Sequence, residues 1–384
     1  MTQVLVVNSG SSSVKYQVID LPSEQVVDKG QRDRVGIDGG DFATHKEAIA
    51  DIVASLPANV SLDLVGHRVV HGGARFTRPV LIDQDVISGI EKVRALAPLH
   101  NPANLEGIHA VTEVMPQLPQ VAVFDTAFFS TLSPAAYDYA LPRDLVEKYG
   151  IRKYGFHGTS HDYVTGELSR LMPPSEKPVR VVSFHLGNGS SVAAVRGGVA
   201  VDTSMGLTPL AGLVMGTRSG DIDPSVVLYL QREAGLSPEQ VDEVLNRNSG
   251  LLGLSGHSDM RDLYEHAEHG DPDALHALDV WTWRAKHYLG AYLAQLGGLD
   301  AIVFTGGIGE NSPELRLSAV SDLEGLGIHI DESRNKAESG EPRLISADGS
   351  SVSLWVIPTN EELHIARIAT RHCESARKKT DLRP

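Results

Sequence analysis

The sequence predicts an α/β protein made of two related domains. Three observations carry that expectation. The chain has 384 residues, where one domain usually takes about 100–200. Short apolar, strand-like runs alternate with helical stretches from end to end, the pattern of a sheet covered by helices. Residues 4–14 read VLVVNSGSSSV and residues 181–192 read VVSFHLGNGSSV. Each is an apolar run, a Gly/Ser turn and a second apolar stretch, and two such units half a chain apart are better explained by duplication than by chance.

In order along the chain, Val4–Val7 and Val14–Ile19 read as strands, and the polar turn Asn8-Ser9-Gly10-Ser11-Ser12-Ser13 between them makes a hairpin rather than a strand-to-helix passage. Asn101-Pro102 opens a helix, with Asn as the cap and Pro in the first turn, running to about Met115 before Pro116. Val121–Phe124 is a short buried strand ending at Asp125. Asp223-Pro224 opens another helix, and Ser237-Pro238-Glu239-Gln240 is a capping box with Pro at the first helical position. Ala301–Phe304 is a second buried strand, ending in the loop Thr305-Gly306-Gly307. There is no low-complexity segment or evident linker.

Composition narrows the classes. With 41% hydrophobic and 22% charged residues, the chain reads as an ordinary globular protein. A net charge of −15 argues against a nucleic-acid partner, which needs a basic face, whereas a few local arginines and lysines can still hold small anions. The basic run Arg377-Lys378-Lys379 reads as a solvated helix end. The single cysteine, Cys373, fits a reducing compartment. The first residues lack a secretory pattern, and no apolar run reaches the ~18 residues of a membrane span. The expectation is a cytoplasmic protein with no membrane partner.

Five constellations carry chemistry. Asn8 to Lys15 combines small hydroxyl residues and glycine, which let backbone N–H groups approach an anion, with a charge from Lys15. It lacks the glycine spacing of a Walker A loop. His185-Leu186-Gly187-Asn188-Gly189-Ser190-Ser191 repeats that design, and two such hairpins facing each other across a cleft would clamp a polyphosphate. Gly306-Gly307-Ile308-Gly309-Glu310-Asn311 follows a strand without completing the dinucleotide fingerprint, because Ser312 stands where the last glycine should. A glycine-rich loop against a base and ribose stays open. Arg68, Asp125 and Arg218 are charges embedded among glycines and apolar residues, and the planar fork of arginine suits carboxylates and phosphates. His157-Gly158-Thr159-Ser160-His161 offers two histidines at i and i+4, but the glycine weakens that turn and no third ligand follows. Hydrogen bonding at a phosphoryl site is the better reading there.

Taken together, the stretches NSGSSSVKY, GHRVVHGG, APLHNPANLEGI, FDTAF, YGFHGTSH, HLGNGSSVAAV, DTSMGLTPL, GTRSGDIDP, SGLLGLSG, FTGGIGENS and IPTNEEL resemble the acetate kinase (acetokinase) family along essentially the whole chain. The resemblance implies duplicated actin-like ATPase (ribonuclease H-like) domains with a nucleotide cleft between them. Residues 1–127 with 363–384 would form one domain, and 128–362 the other, carrying most of the nucleotide site. It also implies a homodimer. The implied activity is transfer of the γ-phosphoryl group of ATP to acetate, giving acetyl phosphate and ADP, with propionate or another short carboxylate as the close alternative.

Carried over position by position, the resemblance implies that Asn8 and Glu361 hold Mg²⁺, for which Mn²⁺ can stand in. Ser11, Ser13 and Lys15 face the phosphates, and His185, Leu186, Gly187, Asn188 and Gly189 form the second phosphate loop. Asp259, Met260 and Arg261, with Gly307, Ile308, Gly309, Glu310 and Asn311, hold the adenosine portion. Arg68 binds the substrate carboxylate, and Val70, Leu99, Phe156 and Pro209 wall its methyl group. Asp125, His157 and Arg218 are catalytic. Phe129 and Leu207 depart from the family pattern, and the short segment Ser255–Asp259 around His257 differs in length among members, so the resemblance places Asp259–Arg261 to within about one residue. A carboxylate acceptor is already ionised at neutral pH and needs no general base. Asp125 therefore reads as a group that orients Mg²⁺, its waters or an arginine. A sugar kinase would need a base for a hydroxyl, and a non-enzymatic nucleotide switch would need no second anion site.

Overall fold

The first apolar run pairs with the second because a tight Gly/Ser turn joins them. β1 (Thr2–Ser9) and β2 (Ser13–Leu21) form an antiparallel hairpin in which Asn8 lies opposite Lys15, and Gly10 N–H donates to the Ser13 carbonyl at 2.8 Å. The structure, a computed structural model, describes residues 2–98 and 100–381. It divides into two units, Met1–Ser130 with Asn360–Pro384, and Thr131–Thr359.

In the first unit the hairpin continues into β3 (Gln25–Asp33), and β4 (Leu62–Val69), β5 (Val80–Leu81) and β6 (Gln120–Phe124) complete a six-stranded sheet of order β3-β2-β1-β4-β6-β5. β1, β4 and β6 run parallel. One face is covered by the helices His45–Ser55 and Asn101–Val114, with Leu5, Val7, Ile49, Ile52, Val65 and Val111 in a common core. Neighbouring strand residues point to opposite faces, so Gly66 looks the other way. A methyl group on it would lie 2.8 Å from Ile365 Cγ2. The C-terminal helix Glu361–Asp381 packs there, on β1, β4 and β6, and Arg367 clamps Glu24 with two contacts of 2.7 Å. Of the basic run near its end, the side chains of Arg377 and Lys379 lie outside the described residues.

The second unit repeats the plan. β7 (Arg180–Leu186), β8 (Ser190–Arg196) and β9 (Val199–Thr203) form an antiparallel meander, and β10 (Ala301–Thr305), β11 (Arg343–Leu344) and β12 (Ser353–Val356) extend it in the order β11-β12-β10-β7-β8-β9. β7, β10 and β12 are parallel, and the short β11 is an antiparallel edge. Strand for strand this is the order of the first unit, including the short edge strand that precedes its partner in sequence. The duplication heard in two hairpins thus extends to whole sheets, and both have the actin-like, ribonuclease H-like topology. The long helix Pro272–Leu296 buries Ala274, Ala277, Trp281, Ala285, Leu289, Tyr292 and Leu296 at helical spacing. No described helix is long and apolar enough to cross a membrane.

The capping box at Ser237 forms with both reciprocal bonds. Two local expectations need correction. Asn101 does not cap its helix. It is the first helical residue, fully buried, and its side chain accepts from His71 N–H at 3.1 Å and donates to the His71 carbonyl at 3.0 Å. Residues Gly306–Asn311 are a short helix rather than a loop. Gly306 makes that sharp entry at φ +79°, where any Cβ would sit 2.6 Å from the Leu186 carbonyl oxygen.

Candidate active site

In the first unit the ends of the parallel strands gather charge. Arg68 lies near the end of β4 and Asp125 directly after β6. Arg68 Nη2 donates to Asp125 Oδ2 at 2.7 Å, and Nε lies 3.1 and 3.2 Å from the two carboxylate oxygens. This is a bidentate, charge-assisted pair, with Asp125 1% exposed. Burial disfavours the Arg68 charge, but the carboxylates of Asp125 and Glu361 more than restore it and hold the guanidinium protonated. Among the described residues, no hydrogen bond is recorded for its Nη1, and the side chain is 22% exposed.

Glu361, the first residue of the C-terminal helix, brings Oε2 to 3.8 Å from Arg68 Nε. Burial, opposed by Arg68 and reinforced by the charges of Asp125 and Glu362, pushes its carboxyl up to about 7. Oε2 is buried and has no hydrogen-bond partner among the described residues. A buried carboxylate oxygen without a donor calls for a cation, and a hard oxygen donor suits Mg²⁺. Asn8, half-buried at the end of β1, offers a second oxygen of that kind.

Two asparagines and a histidine hold this region together, and the sequence did not disclose them as a set. Asn104 Nδ2 donates to the Ser9 carbonyl at 2.9 Å, while its Oδ1 accepts from Val70 N–H at 3.0 Å. His45 Nε2 sits 2.8 Å from the Gly10 carbonyl. The helix 101–114 comes so close that a methyl group on Gly107 would lie 2.0 Å from Ser9 Oγ. Val70 is buried at 8% exposure. It stands one residue beyond the end of β4. Ser11 and Lys15 are exposed and Ser13 is half-buried. Leu99 lies outside the described residues.

In the second unit the His-rich helix start meets the second hairpin. His157 occupies the N-cap position of the helix Gly158–Leu171 with φ +58°, a backbone that non-glycine residues rarely adopt. Its Nδ1 is 2.9 Å from Ser191 Oγ and its ring centroid 4.3 Å from that of His185. His185 Nδ1 contacts Ser160 Oγ at 2.8 Å. His161 is wholly buried, with Nδ1 3.0 Å from Ser183 Oγ and Nε2 2.8 Å from Ser191 Oγ. Burial, helped by His185, drives its pKa well below the usual value, so it is neutral. Both nitrogens of His161 serve the scaffold.

Gly189, at the hairpin tip, links the cluster to Arg218. A methyl group there would lie 3.3 Å from the His157 ring and 3.4 Å from Arg218 Nη1. Arg218 Nη1 donates to the Pro209 carbonyl at 3.0 Å, and burial lowers the affinity of this guanidinium for its proton. Among the described residues no carboxylate pairs with it. Phe156 is buried at 1% exposure.

A cavity of 790 Å³ opens beside the hairpin, lined by Gly187, Asn188, Asp259, Met260, Arg261, Gly307, Ile308 and Asn311. Eight residues from three separate sequence stretches, all expected at the nucleotide, therefore meet at one hollow. Ser258, Ser312 and four residues that no motif marked, Tyr264, Glu265, Glu268 and Glu314, complete the lining. Asp259 caps the helix Met260–Glu268 and is chelated by Arg261, whose hydrogen bonds hold its carboxyl down at about 2. Gly309 and Glu310 are not part of the lining. The Glu310 carboxylate accepts from Gly306 N–H at 2.9 Å and Thr359 N–H at 3.0 Å, which anchors the short helix.

The family model described as the acetokinase family matches residues 3–367. The chain belongs to that family. Among acetokinase relatives, the acetate kinase of Leifsonia xyli subsp. xyli is 52% identical over 96% of this chain and 98% of its own length. That of Dictyoglomus turgidum is 49% identical over 96% and 97%. Two solved structures superpose closely. The acetate kinase of Porphyromonas gingivalis has a TM-score of 0.91 at 40% identity, covering 97% of this chain and all of the other. A propionate kinase from Francisella tularensis has a TM-score of 0.90 at 41% identity, covering 96% and 99%. In this acetokinase the first unit holds an arginine–carboxylate set, and the second a glycine hairpin that meets Arg218 at Gly189 and a large cavity at Gly187 and Asn188.

Proposed function

We propose that this acetokinase reversibly transfers the γ-phosphoryl group of ATP to acetate, giving acetyl phosphate and ADP. The observation that carries the reading is Arg218, a partly buried cation with no carboxylate partner among the described residues, held against Gly189 and His157. A guanidinium in that state is poised for an anion brought by a substrate. The cavity lined by Asp259–Arg261, Gly307, Ile308 and Asn311 takes the adenosine portion. The hairpins at Ser11–Lys15 and His185–Gly189 take the phosphates.

Phosphoryl transfer depends on positioning and on neutralising charge at the transferred group. Arg68, fixed on one edge by Asp125, offers its remaining N–H groups to the acetate carboxylate and aims one oxygen at phosphorus. Arg218, His157 and Lys15 take up charge on the equatorial oxygens. Asp125, as the acceptor for Arg68, is the group that orients this arginine. Acetate arrives ionised and gives up no proton. Mg²⁺, with Asn8 and Glu361 as its protein ligands, would neutralise charge on the polyphosphate. Val70, Leu99, Phe156 and Pro209 are assigned to the methyl group. A homodimer and a cytoplasmic location complete the reading and rest on the family resemblance and on composition.

Propionate is the alternative acceptor, favoured by the likeness to the Francisella protein. The deciding experiment follows ATP turnover with acetate or propionate, trapping the acyl phosphate as hydroxamate. Acetate is expected to have the higher kcat/KM. Arg68→Ala should weaken acetate use by about 1.5–3 kcal/mol, or roughly 10–150-fold in kcat/KM, with ATP binding nearly unchanged. Normal acetate kinetics in that variant would remove Arg68 from the carboxylate site.

A further inference from the structure

Among the described residues one group of side chains outside these sets has the composition and spacing of a cation site. It consists of His257, His266 and Asp271, each of which brings a ligand atom within 4.8 Å of the others. We propose that these three residues bind a divalent transition-metal ion of the Zn²⁺ or Co²⁺ kind. Imidazole nitrogen and carboxylate oxygen together suit such borderline ions, whereas Mg²⁺ prefers oxygen alone.

The geometry is partly built. Asp271 caps the helix Pro272–Leu296 through one oxygen, Oδ1, which accepts from Asp273 N–H at 3.0 Å and Ala274 N–H at 3.4 Å. That leaves Oδ2 turned to His266, whose Nδ1 is 3.6 Å away. Main-chain bonds to the first oxygen orient a carboxylate ligand as outer partners do at known metal centres. The turn between the two residues is closed by Asp271 N–H donating to the His266 carbonyl at 3.1 Å. His257 arrives from a separate loop and places its ring centroid 3.9 Å from that of His266, at an interplanar angle of 28°.

Ligand bonds near 2.0–2.2 Å put neighbouring ligand atoms about 3–4 Å apart. The observed spread therefore needs only a small closure. Ring lone pairs lie in the ring planes, so the two imidazoles must splay further to aim at one ion. His266 is about half exposed, at 48%, and has room for that turn. A bare ring stack and a helix cap explain each contact singly. They do not explain why two imidazoles and the unoccupied oxygen of the cap converge at one corner.

The test is titration of the untagged, nucleotide-free protein with CoCl₂ and ZnCl₂ under excess Mg²⁺, which saturates oxygen-rich sites. The readouts are visible d–d absorption for Co²⁺ and calorimetric stoichiometry for Zn²⁺. One equivalent is expected, with affinity falling at least ~10-fold in His257→Gln, His266→Gln and Asp271→Asn. Both His→Gln changes affect side chains near the surface, and melting without metal checks the fold. If one variant fails that check, the others carry the test. Absence of a stoichiometric site in the parent protein, or undiminished affinity in folded variants, overturns the proposal.

Discussion

Asp125→Asn isolates what the buried carboxylate does, because it preserves shape and removes charge. Asp125 is 1% exposed and meets Arg68 through contacts of 2.7, 3.1 and 3.2 Å. Breaking a buried ion pair costs about 3–5 kcal/mol, because it strands the remaining charge. The amide oxygen of Asn still accepts one hydrogen bond, returning about 1 kcal/mol. Glu361, 3.8 Å from Arg68 Nε, can draw the guanidinium toward itself and offset more. The expected net loss is therefore about 2 kcal/mol in urea unfolding, with turnover falling ~10²-fold as Arg68 leaves its aim. A double-mutant cycle with Arg68→Met tests the cause. Coupled residues in one ion-pair network typically differ from additivity by about 0.5–3 kcal/mol. If the two changes add within ~0.5 kcal/mol in both stability and kcat/KM, the pair is not what positions Arg68. If turnover falls while Arg68→Met leaves acetate use intact, Asp125 works by acid–base chemistry instead.

Other outcomes follow from the same geometry. Glu361→Gln should raise the Mg²⁺ concentration for half-maximal activity at least ~10-fold, read by Mg²⁺ titration of turnover at saturating ATP, and an unchanged midpoint would remove Glu361 from the metal. His67 is buried, and burial holds its pKa down at about 4 against its bond to Gln120. The unfolded chain therefore binds the extra proton first, and stability, complete above about pH 6.5, should fall by up to about 3 kcal/mol as pH drops toward 4. His67→Gln should flatten that part of the urea-measured profile, and a parallel profile would refute the assignment. Val70→Ala should raise propionate efficiency relative to acetate by about 1 kcal/mol or more in the ratio of kcat/KM, because one methylene is worth about 1–3 kcal/mol. An unchanged ratio would give the length limit to another wall.

Local chemistry was the legible part of this protein. The Gly/Ser turn between two apolar runs predicted the first hairpin, and the Ser237 capping box formed as written, because both depend on residues within reach along the chain. Duplication was audible in one pair of hairpins but could not reveal that the short edge strands β5 and β11 also correspond, since two residues carry no periodicity. Asn101 looked like a helix cap because capping is a local preference. The fold instead buries it against the His71 backbone, thirty residues back, where tertiary satisfaction of a polar group outweighs the cap. The Gly306 segment read as a loop for the same reason, since the carboxylate of Glu310 that anchors the helix binds Thr359 from far along the chain. Single arginines were recognisable as candidates by their glycine-rich setting, but the partner that distinguishes Arg68 from Arg218 is a matter of packing.

The C-terminal helix also sets an order of assembly. Residues 131–359 form their unit from one unbroken stretch, so that sheet can close as soon as its own residues have left the ribosome. The first unit begins the chain yet must wait for Glu361–Asp381, with Ile365 facing Gly66 and Arg367 reaching Glu24. Until then the apolar backs of β1, β4 and β6 stay uncovered through synthesis of the entire second unit. The first half to be made is thus the last to be finished, and the residue that opens the completing helix, Glu361, is the one that brings a second carboxylate beside Arg68.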